Sequence, residues 1–138
     1  MKIRWAFMAC ACVLGLAQAA DDSTFQALGG KPGIRNIVAT FVPMLMADER
    51  IKESFADQDT GKLALRLEEL FCELSGGPCK YTGKDMAEVH DGLNITNAQF
   101  NALTEDLQLA MQRRGVPYRI QNKLIAKLAP MQRQIVTK

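Results

Sequence analysis

Histidine is almost missing from this chain of 138 residues: His90 is the only one. That scarcity excludes a zinc site built from several imidazoles, and no Ser-His-Asp set with a nucleophile elbow is present. No glycine loop of the phosphate-cradling kind occurs. An alternating strand pattern of useful length is also missing, so a sheet has nothing to be built from. Nor is there an apolar run long enough to span a bilayer as a permanent helix. The acidic residues are scattered over polar positions, and Glu68, Glu69 and Glu88 read as solvated.

What is present begins with a leader-like N-terminus. Lys2 and Arg4 form a positive start, Ala6 to Leu16 a short apolar run, and Ala17-Gln18-Ala19 places small residues where a signal peptidase reads. Residues 1–19 are therefore expected to be a signal peptide, cleaved after Ala19 or Ala20, and residues 20–138 one exported, periplasmic domain. No Leu lies three residues before Cys10 or Cys12, which disfavours a lipoprotein. The whole chain has 17 basic and 15 acidic residues; without Lys2 and Arg4 the two kinds are equal in number. That balance gives no argument for a nucleic-acid partner. The charges are unevenly spread, however. Arg113, Arg114, Arg119, Lys123, Lys127, Arg133 and Lys138 follow Leu107 with no acid among them, and read as a solvated helical face.

Of the four cysteines, Cys72 and Cys79 remain after cleavage, separated by a Gly-Gly-Pro turn. In an exporting compartment they are expected to pair. The bridge would pin a helix end to the loop leading towards His90 and contribute about 2–3 kcal/mol.

The mature chain reads as helices throughout. Ile34, Ile37, Val38, Phe41 and Leu45 recur at three- and four-residue spacing behind Pro32. Leu63, Leu67, Leu70, Phe71 and Leu74 repeat the pattern, with Asp59 and Thr60 as cap candidates and Gly76-Gly77-Pro78 as the stop. Thr96-Asn-Ala-Gln99 has the capping-box form ahead of Phe100, Leu103, Leu107 and Met111. Gly115-Val-Pro117 ends that helix. Ile120, Leu124, Leu128, Met131 and Ile135 mark the last one, with a bend or early end expected at Pro130. Residues 76–85 read as an extended loop, and His90 lies on a short helical turn between it and Thr96. Met86, Val89 and Leu93 flank His90 at helical spacing and are expected to form an apolar wall around it.

An imidazole in an apolar slot suits an iron ligand. With four amphipathic helices beside it, the chain from about Thr24 to Val136 resembles a group I truncated haemoglobin, an all-α two-over-two globin. The resemblance rests on Leu28-Gly29-Gly30, Ala47-Asp48, Phe55, Gly76-Gly77-Pro78, Tyr81-Thr82-Gly83, Met86-x-x-x-His90, Gly92, Ile95-Thr96, Phe100, Gly115-Val116-Pro117 and Leu128-Ala129-Pro130. It implies haem b as cofactor and His90 as the proximal ligand. Phe55 matches the aromatic residue wedged on the porphyrin face, and Leu63 and Leu67 match the distal positions. Phe71, Tyr81, Met86, Val89, Ile95, Phe100, Leu103 and Leu128 match positions that wrap the macrocycle. Lys62, Arg66 and Lys84 are candidates for the propionates. No Cys-x-x-Cys-His run exists, so attachment of the c type is not expected. The second ring nitrogen of His90 is expected to donate to a backbone carbonyl near Met86.

One departure from the family bears on chemistry. Many relatives carry a tyrosine after the aromatic residue of the first long helix and a polar side chain on the distal helix. Here those places hold Val42, Leu63 and Leu67, none of which donates a hydrogen bond. Bound dioxygen carries partial negative charge, and a donor to it is worth about 1.5–3 kcal/mol. The resemblance thus implies a binder of dioxygen, carbon monoxide or nitric oxide that does not hold dioxygen long. Nitric oxide dioxygenase or peroxidase-type turnover is left open, as are a reductase partner and the oligomeric state. The alternative is a helical interaction or haem-shuttling module without gas binding. Lys62, Met44 and Met46 are weak candidates for a sixth iron ligand, with surface or packing roles expected instead.

Overall fold

The computed structural model describes residues 23–138 of the chain. The signal segment, its cleavage site, Cys10 and Cys12 lie outside the described residues. Seven helices follow one another: α1 (Ser23–Ala27), α2 (Gly30–Ala47), α3 (Thr60–Leu74), α4 (Met86–Val89), α5 (Asn97–Arg113), α6 (Tyr118–Leu128) and α7 (Gln132–Ile135). Short 3-10 turns at Lys52–Phe55 and Ala129–Met131 complete them, and there is no strand among the described residues.

Local chemistry sets the helix ends. The corner between α1 and α2 is too tight for side chains: a Cβ on Gly33 would lie 2.0 Å from the Leu28 carbonyl oxygen, and Gly29 and Gly30 take φ of 89° and 64°. Pro43 sits inside α2 and leaves the Ala39 carbonyl without its helical donor. Both residues are exposed, so water can serve that carbonyl and the helix runs on to Ala47. Asp59, rather than Thr60, caps α3 by accepting from the Lys62 amide at 3.0 Å. The capping box of α5 forms as expected: Gln99 N–H donates to Thr96 Oγ1, and Thr96 N–H donates to Gln99 Oε1. Pro130 falls in the 3-10 turn that separates α6 from α7.

Helix α2 packs against α3 and α5, and α6 packs against α3 and α5 in turn. Their apolar faces enclose Ile34, Ile37, Phe41, Leu45, Phe71, Leu107, Met111 and Leu124, each at most 2% exposed. Phe41 and Phe71 meet at the centre with ring centroids 6.2 Å apart. The Cys72–Cys79 disulfide forms, with Cα atoms 5.7 Å apart, and ties the end of α3 to the loop before α4. Helix α7 packs against α4 and α5. The Thr137 and Lys138 amides both donate to the Ile95 carbonyl, at 3.0 and 3.3 Å, and so hold the chain just beyond His90.

Candidate functional site

Helix α4 is a single turn, capped by Asp85, whose side chain accepts from the Glu88 amide at 2.8 Å. His90 is its C-cap, with φ −101° and ψ 4°. The ring Nδ1 lies 2.7 Å from the Met86 carbonyl oxygen. A carbonyl only accepts, so Nδ1 carries a proton, and Nε2 is the ring nitrogen left to bind a metal. The expected second-nitrogen contact is therefore present, on the expected residue.

Of the three residues expected to form an apolar wall, one packs against the core. Met86 is half-buried and packs against the core, but Val89 is 45% and Leu93 41% exposed. The cause is the brevity of α4. Helical geometry stops at His90, and Gly92 (φ 76°) and Asn94 (φ 52°) turn the chain, so Leu93 does not share a helical face with His90. Val89, the adjacent residue, points about 100° away on the helix.

The remaining anticipated residues fall into three groups. Phe55, Leu63, Leu67, Tyr81, Leu103 and Leu128 are half-buried and pack against the edge of the core. Phe71, 2% exposed, lies inside that core against Phe41. Ile95 is buried and Phe100 half-buried, both outside the main cluster. Val42 is 7% exposed beside the fully enclosed Phe41. A surface cavity of about 430 Å³ lined by Thr24, Leu74, Ser75 and Lys127 contains none of these residues.

Electrostatics sort the three cations. Lys84 pairs with Glu88 at 2.9 Å, and that carboxylate raises its pKa. Arg66 donates to Glu69 at 2.8 Å and also contacts the Thr82 hydroxyl. Lys62 is exposed, with no ion pair among the described residues. Glu69, read from sequence as solvated, instead accepts from Arg66, from the Thr82 amide at 3.1 Å and from the Thr82 hydroxyl at 3.0 Å. Arg66 and then the Thr82 amide hold its carboxyl below the usual range. Nothing local in the sequence marks this contact, because its partners lie 13 residues apart.

Among the described residues no group of three or more His, Cys, Asp or Glu side chains could hold a bare metal ion. One imidazole cannot hold such an ion alone. A metal here must bring its other ligands with it, and the half-buried apolar side chains suit a flat macrocycle that does so. A single imidazole with its Nδ1 already engaged by the Met86 carbonyl fits haem.

Comparison with known proteins agrees. Residues 23–137 match the family described as bacterial-like globin. A group 1 truncated hemoglobin of Tetrahymena thermophila is 35% identical over 96 residues, covering 70% of this chain and 79% of that protein. One from Mycolicibacterium paratuberculosis is 29% identical over 120 residues, covering 87% and 88%. The crystal structure of truncated hemoglobin from Tetrahymena pyriformis in its Fe(III) form superposes with a TM-score of 0.80 at 29% identity, covering 83% of this chain and 98% of that one.

Proposed function

Because this chain belongs to the bacterial-like globin family, among its group 1 truncated haemoglobins, we propose that His90 holds the iron of its haem and that Leu63 and Leu67 face the gas. The protein is a haem-binding globin, all-α and of the two-over-two kind. The single observation that carries the assignment of His90 is its Nδ1 contact with the Met86 carbonyl, which leaves Nε2 as the ligating atom.

Haem, when bound, would supply the iron at which a diatomic gas is taken up. The chain supplies the rest. The Met86 carbonyl fixes the His90 ring plane. Phe55, Tyr81, Leu103 and Leu128 offer apolar surface to the macrocycle, and Lys62 offers an uncommitted cation for a propionate. Val42, Leu63 and Leu67 exclude water and bring no hydrogen-bond donor. This supports exchange of dioxygen, carbon monoxide or nitric oxide in preference to long storage of dioxygen, and it argues against efficient nitric oxide dioxygenation.

Export of the chain, with cleavage near Ala19, is part of the same reading. It is supported by the leader-like N-terminus and by the Cys72–Cys79 bridge, which persists in an oxidising compartment. No helix of the described residues is long and apolar enough to cross a membrane.

An absorption spectrum of purified protein tests the functional reading. A sharp Soret band retained through gel filtration, with distinct ferrous, carbon monoxide and dioxygen forms, is expected. A band lost on the column would favour the haem-shuttling alternative. Intact mass tests export: recovery outside the cytoplasm beginning at Ala20 or Asp21 is expected, and a soluble form retaining Met1 overturns it.

A further inference from the structure

Two glutamates on α3 reach across to the loop that carries the histidine turn. Glu73 Oε2 accepts from the Tyr81 amide at 3.1 Å, and Glu69 Oε2 accepts from the next amide, that of Thr82, at 3.1 Å. Both Glu69 oxygens also lie 3.0 Å from the Thr82 hydroxyl. Arg66, one turn earlier, holds Glu69 in place at 2.8 Å. The spacing of residues 66, 69 and 73 puts all three on one stripe of α3.

From Thr82 the path to His90 is short and fastened. The Tyr81 hydroxyl donates to the Lys84 carbonyl at 2.9 Å, folding the ring over Gly83, where a Cβ would lie 2.3 Å from that hydroxyl. Asp85 then caps α4, and the Met86 carbonyl accepts the hydrogen bond from His90 Nδ1. A displacement of the loop at Thr82 therefore moves the carbonyl that orients the imidazole.

We propose that Glu69 is a positioning residue for the proximal side: through Thr82 it sets the placement of α4, and so the orientation and strength of the His90 bond to haem iron. This rests on the reading of His90 as the axial ligand. The same helix carries Leu63 and Leu67, so the clamp couples the two sides of the site through α3. The disulfide one turn along ties the same helix to the same loop, but it meets the loop two residues before Tyr81 and does not hold the Thr82 amide. Glu69 supplies that hold.

The test uses reduced, ligand-free holoprotein. Resonance Raman reads the iron–histidine stretching band, and haem transfer to excess apo-globin reads retention. Glu69→Ala is expected to shift the band and speed haem transfer about tenfold, the low end of what losing an outer partner of a metal ligand costs. Glu69→Gln, whose amide oxygen still accepts from Thr82, is expected to change both by less and keeps the test open should the alanine variant not fold. Glu49→Ala, which removes an exposed pair with Lys52, should behave as wild type. A folded Glu69→Ala and Glu69→Gln with unchanged band and transfer rate overturn the proposal, even if melting falls. A wild type with no iron–histidine band overturns instead the assignment of His90.

Discussion

The Met86 carbonyl oxygen and His90 Nδ1 lie 2.7 Å apart across one turn of helix. That contact decides the tautomer of the ring, and with it which nitrogen is free to bind iron. His90→Ala removes the only imidazole in the chain. The variant should emerge from gel filtration with no retained Soret band, and free imidazole added to it should restore a low-affinity complex. A full haem complement with the wild-type ferric spectrum would rule out the assignment.

Adding a donor near the gas should slow dioxygen release. One hydrogen bond of about 1.5–3 kcal/mol corresponds to about ten- to a hundredfold. Val42→Tyr tests this at a buried site, where overpacking can cost about 1–3 kcal/mol. Leu63→Gln tests it at a half-buried site where there is more room. Stopped-flow dissociation should show a much larger change for dioxygen than for carbon monoxide. Wild-type release already as slow as in a donor-equipped globin would contradict the apolar reading of the site.

Breaking the Cys72–Cys79 bridge should lower stability by about 2–3 kcal/mol, the loop entropy it removes from the unfolded chain. Urea unfolding of the Cys79→Ser variant measures this. Two thiols that alkylate freely in unreduced, exported protein would show that the bridge does not form.

Asp48 and Asp106 should give opposite pH dependences. Hydrogen bonds from Arg50 lower the Asp48 carboxyl to about 2. Its contribution is present above the ordinary carboxylate pKa and is lost as pH falls towards 2. Asp106 is 5% exposed, with its Oδ2 lacking a donor. Burial and the Asp48 charge raise its pKa, against a smaller opposing pull from Arg50, while Glu105 adds a further raising charge. Its stabilising effect is present in acid and lost as pH rises through that raised pKa. Asp106→Asn replaces the buried carboxylate with an amide that can donate to Asp48. It should raise stability near pH 7 by about 1 kcal/mol and leave a smaller effect in acid, as read by urea midpoints. A variant no more stable than wild type at neutral pH would count against burial and the Asp48 charge as the source of a cost at Asp106.

How legible each feature was follows from its range along the chain. The Thr96–Gln99 capping box, the Asp59 cap, the break at Pro130 and the His90–Met86 contact all lie within one turn, where spacing alone dictates geometry. The apolar periodicities of α2, α3, α5 and α6 are likewise local, and they located the core. Glu69 was misread because its partner Thr82 comes from a loop without a period. Asp106 was not picked out because its burial arises where α5 meets α2, and its neighbour Asp48 stands far earlier in the chain. Leu93 was placed beside His90 because a helical period was extended past the end of a one-turn helix, and Val89, inside that helix, because an adjacent residue was read as sharing a face.

The paired amides of Thr137 and Lys138 on the Ile95 carbonyl have a consequence for biosynthesis. A ribosome delivers α7 after α4 and the turn that carries His90. Until it emerges, the nascent chain has its histidine turn uncovered on that side and the Ile95 carbonyl turned to water. The turn that carries His90 gains this fastening only once residues 132–138 have been made and have docked.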